Sequence, residues 1–529
     1  MSTDLRTKSA LDVDAEAFDE IANQAAKLVA EYFNTITERP VRAENQAGKT
    51  TAALDLELPL EGVPLDRLLE ECRAIFDLSR HNGHPRFFGY VASPATPIGA
   101  YADLITGALN ANITCWRSGP AGTELEQLVV RWLGSLIEYD RDAKGLLTSG
   151  GSMANMIALL VASRRKLGSE ASFKGLWNGG SPLTVYASEE VHMSIPKAAD
   201  IIGLGRDHVR TVACDDRQRM RVDVLREQIE QDLDQGLRPC CVVASAGTVN
   251  TGVVDPLEEI AAVAREFDLW FHVDGAYGAP GVLDGRKKHL FRGLERADSV
   301  SLDPHKWLYV PVDAGCLLFR DSSAVKAAFN TEDADYIKVH GHSDDEAFAY
   351  WDYGVELSRR FRALKVWLTL GYYGARRIAD AITNDISLAA YLGELVSAAD
   401  DFELLAPVEL SICCFRYVPP GWNGDGETGG WGDGETGRRG DTENDLPVPH
   451  SPNPPVSASP RPPVIRSEAE LDRLNERIMG RVQTSGRAYL SNATIGGRFA
   501  LRACITNFRT TKSDIEETLE TVRDAARRD

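Results

Sequence analysis

The sequence is short of positive charge: 58 Lys and Arg stand against 78 Asp and Glu, a formal net charge of −20. No Lys/Arg-rich run relieves that balance, so a phosphate backbone or an anionic lipid surface would be repelled, and nucleic acid and membrane are excluded as partners. Cys-x-x-Cys spacing is missing. The nine cysteines include the adjacent pairs Cys240-Cys241 and Cys413-Cys414, an arrangement that does not read as a disulfide framework and fits a reducing cytoplasm. Long apolar runs are missing too. Nothing reaches the roughly 18 residues a membrane span needs, and the mixed-charge stretch from Met1 to Glu20 has no export-signal core. Among the ten histidines there is neither His-x-x-x-His nor a Cys/His cluster, so metal binding is disfavoured, and a nucleophile-elbow hydrolase fails on spacing as well.

What remains is a 529-residue chain that is 43% apolar, enough to bury a large core over more than one domain. Phe18, Ile21, Leu28, Val29, Tyr32, Phe33 and Ile36 recur at three- and four-residue steps. This predicts an amphipathic helix over 15–37 with a broad apolar face that needs a partner surface. From about 95 to 362, short β-branched or aromatic runs (Thr184–Ala187, Cys241–Ala244, Leu269–Val273, Cys316–Phe319) alternate with helical stretches. That alternation predicts an α/β fold with a mostly parallel central sheet covered by helices. Strand-like Leu410–Tyr417 and Arg498–Ile505 flank a helical segment near Glu468–Arg487, as in a small α+β domain. The division expected is an N-terminal helical segment over 1–95 in need of a partner surface, a large domain over 96–362 and a small C-terminal domain over 363–529. Inside the last, residues 420–466 hold a near-tandem Trp-and-Gly-rich repeat and eight prolines after Leu446, and are expected to be a disordered insertion.

Four local patterns carry chemistry. Ser301-Leu302-Asp303-Pro304-His305-Lys306-Trp307 follows a strand-like run, and partial desolvation of Lys306 is expected to lower its amine toward neutrality, as a Schiff-base former requires. A lone lysine is more often an exposed loop residue, so the neighbouring patterns decide. His272-Val273-Asp274-Gly275-Ala276-Tyr277 puts an aspartate at a strand's carboxyl end, where ligands gather in open parallel sheets. A carboxylate there suits a pyridine nitrogen, although a cap or turn would use the same residue. Thr148-Ser149-Gly150-Gly151-Ser152 precedes a helical run, Met153–Lys166, and offers backbone N–H groups and a hydroxyl to a phosphate. His192, after Thr184–Ala187, also stands at a carboxyl end, and its imidazole can stack on a pyridine ring.

In order, His84–Tyr90, Trp116 with Thr123–Glu126, Thr148–Ser152, His192, Asp274–Tyr277, Asp303–Trp307 and Arg359–Arg362 resemble the group II pyridoxal phosphate-dependent decarboxylases, the aromatic L-amino acid branch above all. The resemblance covers nearly the whole chain outside 420–466. It implies fold type I of the pyridoxal phosphate-dependent enzymes, pyridoxal 5'-phosphate as cofactor, and a cytoplasmic homodimer with its active site at the subunit interface. Carried over by position, Lys306 would hold the cofactor as a Schiff base, Asp274 would pair with the ring nitrogen, and His192 would stack opposite Ala276. Gly151, Ser152 and His305 would attend the phosphate, and Thr248 would touch the cofactor. Tyr336 would protonate the product carbon from a loop reaching the partner's site; members with phenylalanine there tend to make aldehydes. Tyr90 and Ser93 match positions lining the substrate side chain, with no basic residue near Tyr90–Pro94 for an acidic one. Ser358 resembles the serine of plant members that prefer phenolic substrates, and Asp303 stands where some members have asparagine near the phosphate.

The reading of the sequence is therefore a carboxy-lyase that converts an aromatic L-amino acid (tyrosine, DOPA, phenylalanine or tryptophan class) to its arylalkylamine and carbon dioxide. Its rivals are a decarboxylase of glutamate, 2,4-diaminobutyrate or a sulfinate-like acid, an aromatic aldehyde synthase, and a non-catalytic ligand sensor.

Overall fold

The computed structural model describes residues 11–43, 47–54, 57–168, 170–176, 180–329, 348–420, 422 and 467–528. Tyr336 and all of the insertion at 420–466 except Pro420 and Trp422 lie outside the described residues.

Seven short strands form the central sheet: β1 (Lys144–Thr148), β2 (Leu183–Ser188), β3 (Val209–Val212), β4 (Arg238–Ser245), β5 (Trp270–Asp274), β6 (Ser299–Leu302) and β7 (Gly315–Phe319). Their order is β1-β7-β6-β5-β4-β2-β3. Strands β2 to β6 pair in parallel, and β7 alone runs antiparallel to its neighbours β1 and β6. Every residue of β2, β5, β6 and β7 is buried, which explains why these strands read as continuous apolar runs rather than as alternation. The helix Gly151–Leu167 crosses one face with Ala154, Ile157, Ala158, Val161 and Ala162 turned inward, and packs on β4, β6 and β7.

Four antiparallel strands, β8 (Phe402–Leu404), β9 (Ile412–Tyr417), β10 (Ser491–Ile495) and β11 (Arg498–Cys504), make a second sheet in the order β10-β11-β9-β8. The helices Glu468–Thr484 and Lys512–Ala526 bury Leu471, Leu474, Ile478, Ile515 and Leu519 against it. Ser467 caps the first of these, and Thr511 with Asp514 forms a capping box on the second. The helical segment Ala363–Ala398 ties the two sheets together. Ile378, Ile382 and Ile386 join the large core, whereas Leu388, Leu392 and Val396 join the small one.

At the N-terminus the helix Ala15–Thr35 begins at Asp14, whose carboxylate accepts from the Ala17 N–H at 2.9 Å. It lies on the helix Leu65–Leu78, with the Tyr32 and Phe76 rings 4.8 Å apart. Part of its apolar face stays bare: Phe18 is 61% and Ile21 41% exposed. Among the described residues no helix is long and apolar enough to cross a membrane.

Candidate active site

The carboxyl ends of the central strands surround a cavity of about 540 Å³. Lys306 reaches it from the turn after β6. That turn is pinned from below: the buried Trp307 stacks on Tyr277 at 5.2 Å and donates its indole N–H to Asp385 at 2.9 Å. Tyr309 donates to the same Asp385 oxygen at 2.7 Å, which anchors a residue standing in the left-handed region (φ +59°).

Lys306 Nζ lies 2.9 Å from Asp303 Oδ2. Burial by itself would lower the amine's pKa, but the Asp303 and Asp274 carboxylates and the Asp303 hydrogen bond outweigh it and raise it above the usual lysine value. This corrects the sequence expectation of an amine lowered toward neutrality; two nearby negative charges reverse the sign. Asp303, whose place was open from sequence, is the counter-ion of Lys306, and its buried Oδ1 has no hydrogen-bond partner.

Asp274 closes β5. Its Oδ1 accepts from Ser301 Oγ (3.0 Å) and the Ala276 N–H (3.1 Å), and its Oδ2 accepts from Asn155 Nδ2 (2.8 Å). Burial would push this carboxyl up, yet Lys306, His272 and His192, with the Asn155 amide, hold it below the ordinary aspartate value, so it is ionised. His192 stands in the turn between β2 and the helix Ser194–Ile201. Burial lowers its pKa and keeps it neutral at physiological pH, and its Nδ1 lies 2.8 Å from Ser194 Oγ.

The turn after β1 brings Gly150, Gly151 and Ser152 to the opposite wall, at the start of the helix Gly151–Leu167. A Cβ at Gly151 would stand 2.9 Å from Ala276 Cβ and 3.0 Å from Asp303 Oδ2, so a side chain there would collide with the cavity floor. Gly315 on β7 performs a similar service: a Cβ would meet Gly150 Cα at 2.4 Å, closer than the backbones permit. His305 and Thr248 line the same cavity; His305 Nδ1 accepts from the Ala314 N–H at 3.0 Å, and the Thr248 hydroxyl meets Thr251 at 2.9 Å.

The fit to pyridoxal phosphate is specific. The cavity offers a lysine amine, an ionised carboxylate on a strand end, a neutral imidazole, and a glycine-lined helix N-terminus carrying a hydroxyl, which answer to the cofactor's aldehyde, ring nitrogen, ring face and phosphate. Lys306, Asp274, His192, Gly151, Ser152, Thr248, Ala276 and His305, predicted from sequence, all line it. Tyr90 joins them at the cavity wall, with φ +58° and its hydroxyl 3.3 Å from that of Tyr489. Ser93 is placed elsewhere: it lines a neighbouring cavity with Tyr32 and Ile36, and its hydroxyl donates to the His305 carbonyl at 3.2 Å.

Sequence reasoning missed Arg502 and Asn155, both in the cavity lining. Arg502, from β11, donates through Nη1 to the Tyr90 carbonyl at 2.9 Å, so a basic residue does stand beside Tyr90, supplied from more than four hundred positions away. The signal available was a charged residue inside the apolar run Phe499–Ile505 and, for Asn155, an amide inside an apolar helix.

A family model described as the pyridoxal-dependent decarboxylase conserved domain matches residues 48–418. The aromatic-L-amino-acid decarboxylase of Bacillus atrophaeus is 34% identical over 410 residues, 77% of this chain and 83% of that protein. A phenylacetaldehyde synthase of a Rosa hybrid cultivar is 28% identical over 529 residues, covering 97% of this chain and 94% of its own. The crystal structure of Oryza sativa TDC with PLP and tryptamine superposes with a TM-score of 0.83 at 26% identity, covering 99% of each chain.

Proposed function

The chain belongs to the pyridoxal-dependent decarboxylase family, and from that premise we propose that it removes the carboxyl group of an aromatic L-amino acid, of the tyrosine, DOPA, phenylalanine or tryptophan class, to give the arylalkylamine and carbon dioxide. The observation that carries the site assignment is the convergence of Lys306, Asp274 and His192 on one cavity at the carboxyl edge of the sheet. When bound, pyridoxal phosphate supplies an electron sink for the pair released from the bond between Cα and the carboxylate.

Each residue then has a task. Lys306 offers the amine that holds the cofactor's aldehyde, and Asp303 keeps that amine charged until the cofactor arrives. Asp274, ionised and held by three donors, would hold a proton on the ring nitrogen. The helix N-terminus at Gly151 and Ser152, with His305 and Thr248, takes the phosphate. His192, on the same cavity as Ala276, would hold the ring by its face and orient the substrate carboxylate. Tyr90 borders the substrate side chain, and Ser93, in the neighbouring cavity, reaches the site only through the His305 carbonyl that accepts its hydroxyl. Tyr336 returns the proton to Cα, which separates amine formation from the aldehyde chemistry named for the Rosa relative.

Pairing of two subunits is part of this reading: the bare Phe18 and Ile21 face on the helix Ala15–Thr35 and the exposed Leu104, Ile105 and Leu109 on the helix Pro97–Leu109 supply apolar surface for a second copy. The nine unpaired cysteines support a cytoplasmic location. Arg502 favours a second reading, an acidic substrate side chain. Its Nε and Nη1 are committed to the carbonyls of Val249, Asn250 and Tyr90 and to Ser491 Oγ, but its buried Nη2 has no hydrogen-bond partner and is available to a carboxylate oxygen. A panel of aromatic, acidic and diamino acids offered to the cofactor-loaded chain, with amine, aldehyde and carbon dioxide scored separately, decides between them. Amine from aromatic substrates alone is the expected result, and turnover confined to glutamate or 2,4-diaminobutyrate would overturn the proposal.

A further inference from the structure

We propose that Asn155 is a positioning residue that joins the two cavity groups Asp274 and His192 in one directional hydrogen-bond relay, turning the carboxylate toward the cavity as an acceptor and fixing His192 as the tautomer with its proton on Nε2. The proposal rests on the reading that these two residues face the cofactor ring.

The direction follows from what each group is able to give. A carboxylate only accepts, so the Asn155 atom 2.8 Å from Asp274 Oδ2 is the amide nitrogen. Its second hydrogen goes to Ser194 Oγ at 2.9 Å. The Ser194 backbone N–H points at His192 Nδ1 at 3.2 Å and makes that nitrogen an acceptor, so the Ser194 hydroxyl, 2.8 Å away, donates its hydrogen there as well. Two donors on Nδ1 leave the ring proton on Nε2.

The other end of the amide is equally determined. Asn155 Oδ1 must accept, so His272 Nε2, 3.0 Å away, donates. His272 Nδ1 is then an acceptor for Ser299 Oγ at 2.9 Å, and Ser299 in turn accepts from the Trp270 indole N–H at 2.8 Å. Trp270 is a donor only, so the chain has a fixed origin under the sheet and a fixed end in the cavity. His272 is fully enclosed, its pKa lowered to about 4 by burial, so no second proton reverses the order at physiological pH. Asn155, His272 and Ser299 are each about 1% exposed or less, which removes water as a substitute partner. The relay spans β5, β6 and the helix Gly151–Leu167, so one amide sets the group at the ring nitrogen and the group on the ring face together.

The test uses the full chain with ring-labelled histidine. In cofactor-free protein the His192 signal, identified by its loss in His192→Gln, shows the Cδ2 shift of an Nε2–H imidazole. Ser194→Ala, which removes one of the two donors on Nδ1, moves that shift toward a tautomer average, and Asn155→Leu moves it part of the way, because the Ser194 hydroxyl loses the partner that orients it while the backbone donor remains. An unmoved His192 signal in a cooperatively melting Asn155→Leu protein overturns the proposal, and if that variant does not fold, an unmoved signal in Ser194→Ala does so. Pyridoxal phosphate affinity, read by tryptophan fluorescence, falls about tenfold or more in Asn155→Leu and less in Ser194→Ala, which spares the Asp274 arm. A moved tautomer with undiminished cofactor affinity leaves the hydrogen-bond chain standing but contradicts its orientation toward the ring, and the failure is then in the reading of the cavity.

Discussion

Lys306 Nζ stands 2.9 Å from Asp303 Oδ2, three residues earlier in the same turn, and Asp274 adds a second negative charge nearby. The lysine that is to meet an aldehyde is therefore stored as an ammonium ion. Arrival of an anionic phosphate at the adjacent helix N-terminus, where even a Cβ on Gly151 would stand 3.0 Å from Asp303 Oδ2, would change the electrostatics of this pair directly.

Asp303→Asn removes the nearer carboxylate, so the burial that opposes charge on Lys306 counts for more and its pKa falls. More of the amine is neutral at physiological pH. Cofactor uptake, followed by visible absorbance, is expected to quicken several-fold near neutrality and to move its pH dependence to lower pH. An unchanged pH dependence would show that Asp303 does not control the amine.

Asp274→Asn keeps the size of the side chain and removes the charge that holds a proton on the ring nitrogen. Turnover is expected to fall about a hundredfold or more, with the variant still folded because Asn retains an acceptor for Ser301 or Asn155. Carbon dioxide release near the wild-type rate would remove Asp274 from its assigned role.

Tyr336→Phe tests the step that follows loss of carbon dioxide. Amine formation is expected to drop while aldehyde and peroxide rise; a product ratio identical to that of the wild type would sink the assignment of Tyr336.

Asp385→Asn probes the support beneath Lys306. Burial raises Asp385 to about 7, so the native state holds its proton more tightly than an unfolded chain with the usual value near 3.8. A group raised on folding stabilises below its unfolded pKa, and that contribution is lost as pH rises toward 7. Asparagine does not titrate, so between about pH 5 and about pH 8 the wild type should lose about 2–3 kcal/mol relative to the variant. Melting temperatures measured in parallel check this, and a constant difference across the range would contradict it.

Much of the site was legible because its chemistry is local in sequence. Lys306, Asp274, His192 and Gly151-Ser152 each sit within a few residues of a strand end, and the mostly parallel sheet brings the carboxyl ends of every strand but β7 to one edge. The sheet strands were legible from β-branched and aromatic runs, although the antiparallel direction of β7 depends on long-range pairing with β1 and β6 that no local pattern encodes. Arg502 arrives from the second sheet, and Asn155 is one amide among apolar neighbours, so neither announces itself locally. The sign of the Lys306 shift was misread because burial and two carboxylates pull in opposite directions, and only distances settle which prevails.

The central claim, that Lys306 carries the cofactor in this cavity, is tested most directly by reducing the cofactor-loaded chain with borohydride and mapping the modified peptide by mass spectrometry. The account predicts one phosphopyridoxyl group per chain, on Lys306, and none in that peptide from Lys306→Ala protein. Labelling of a different lysine, or no stable label on a cofactor-saturated chain, would contradict it.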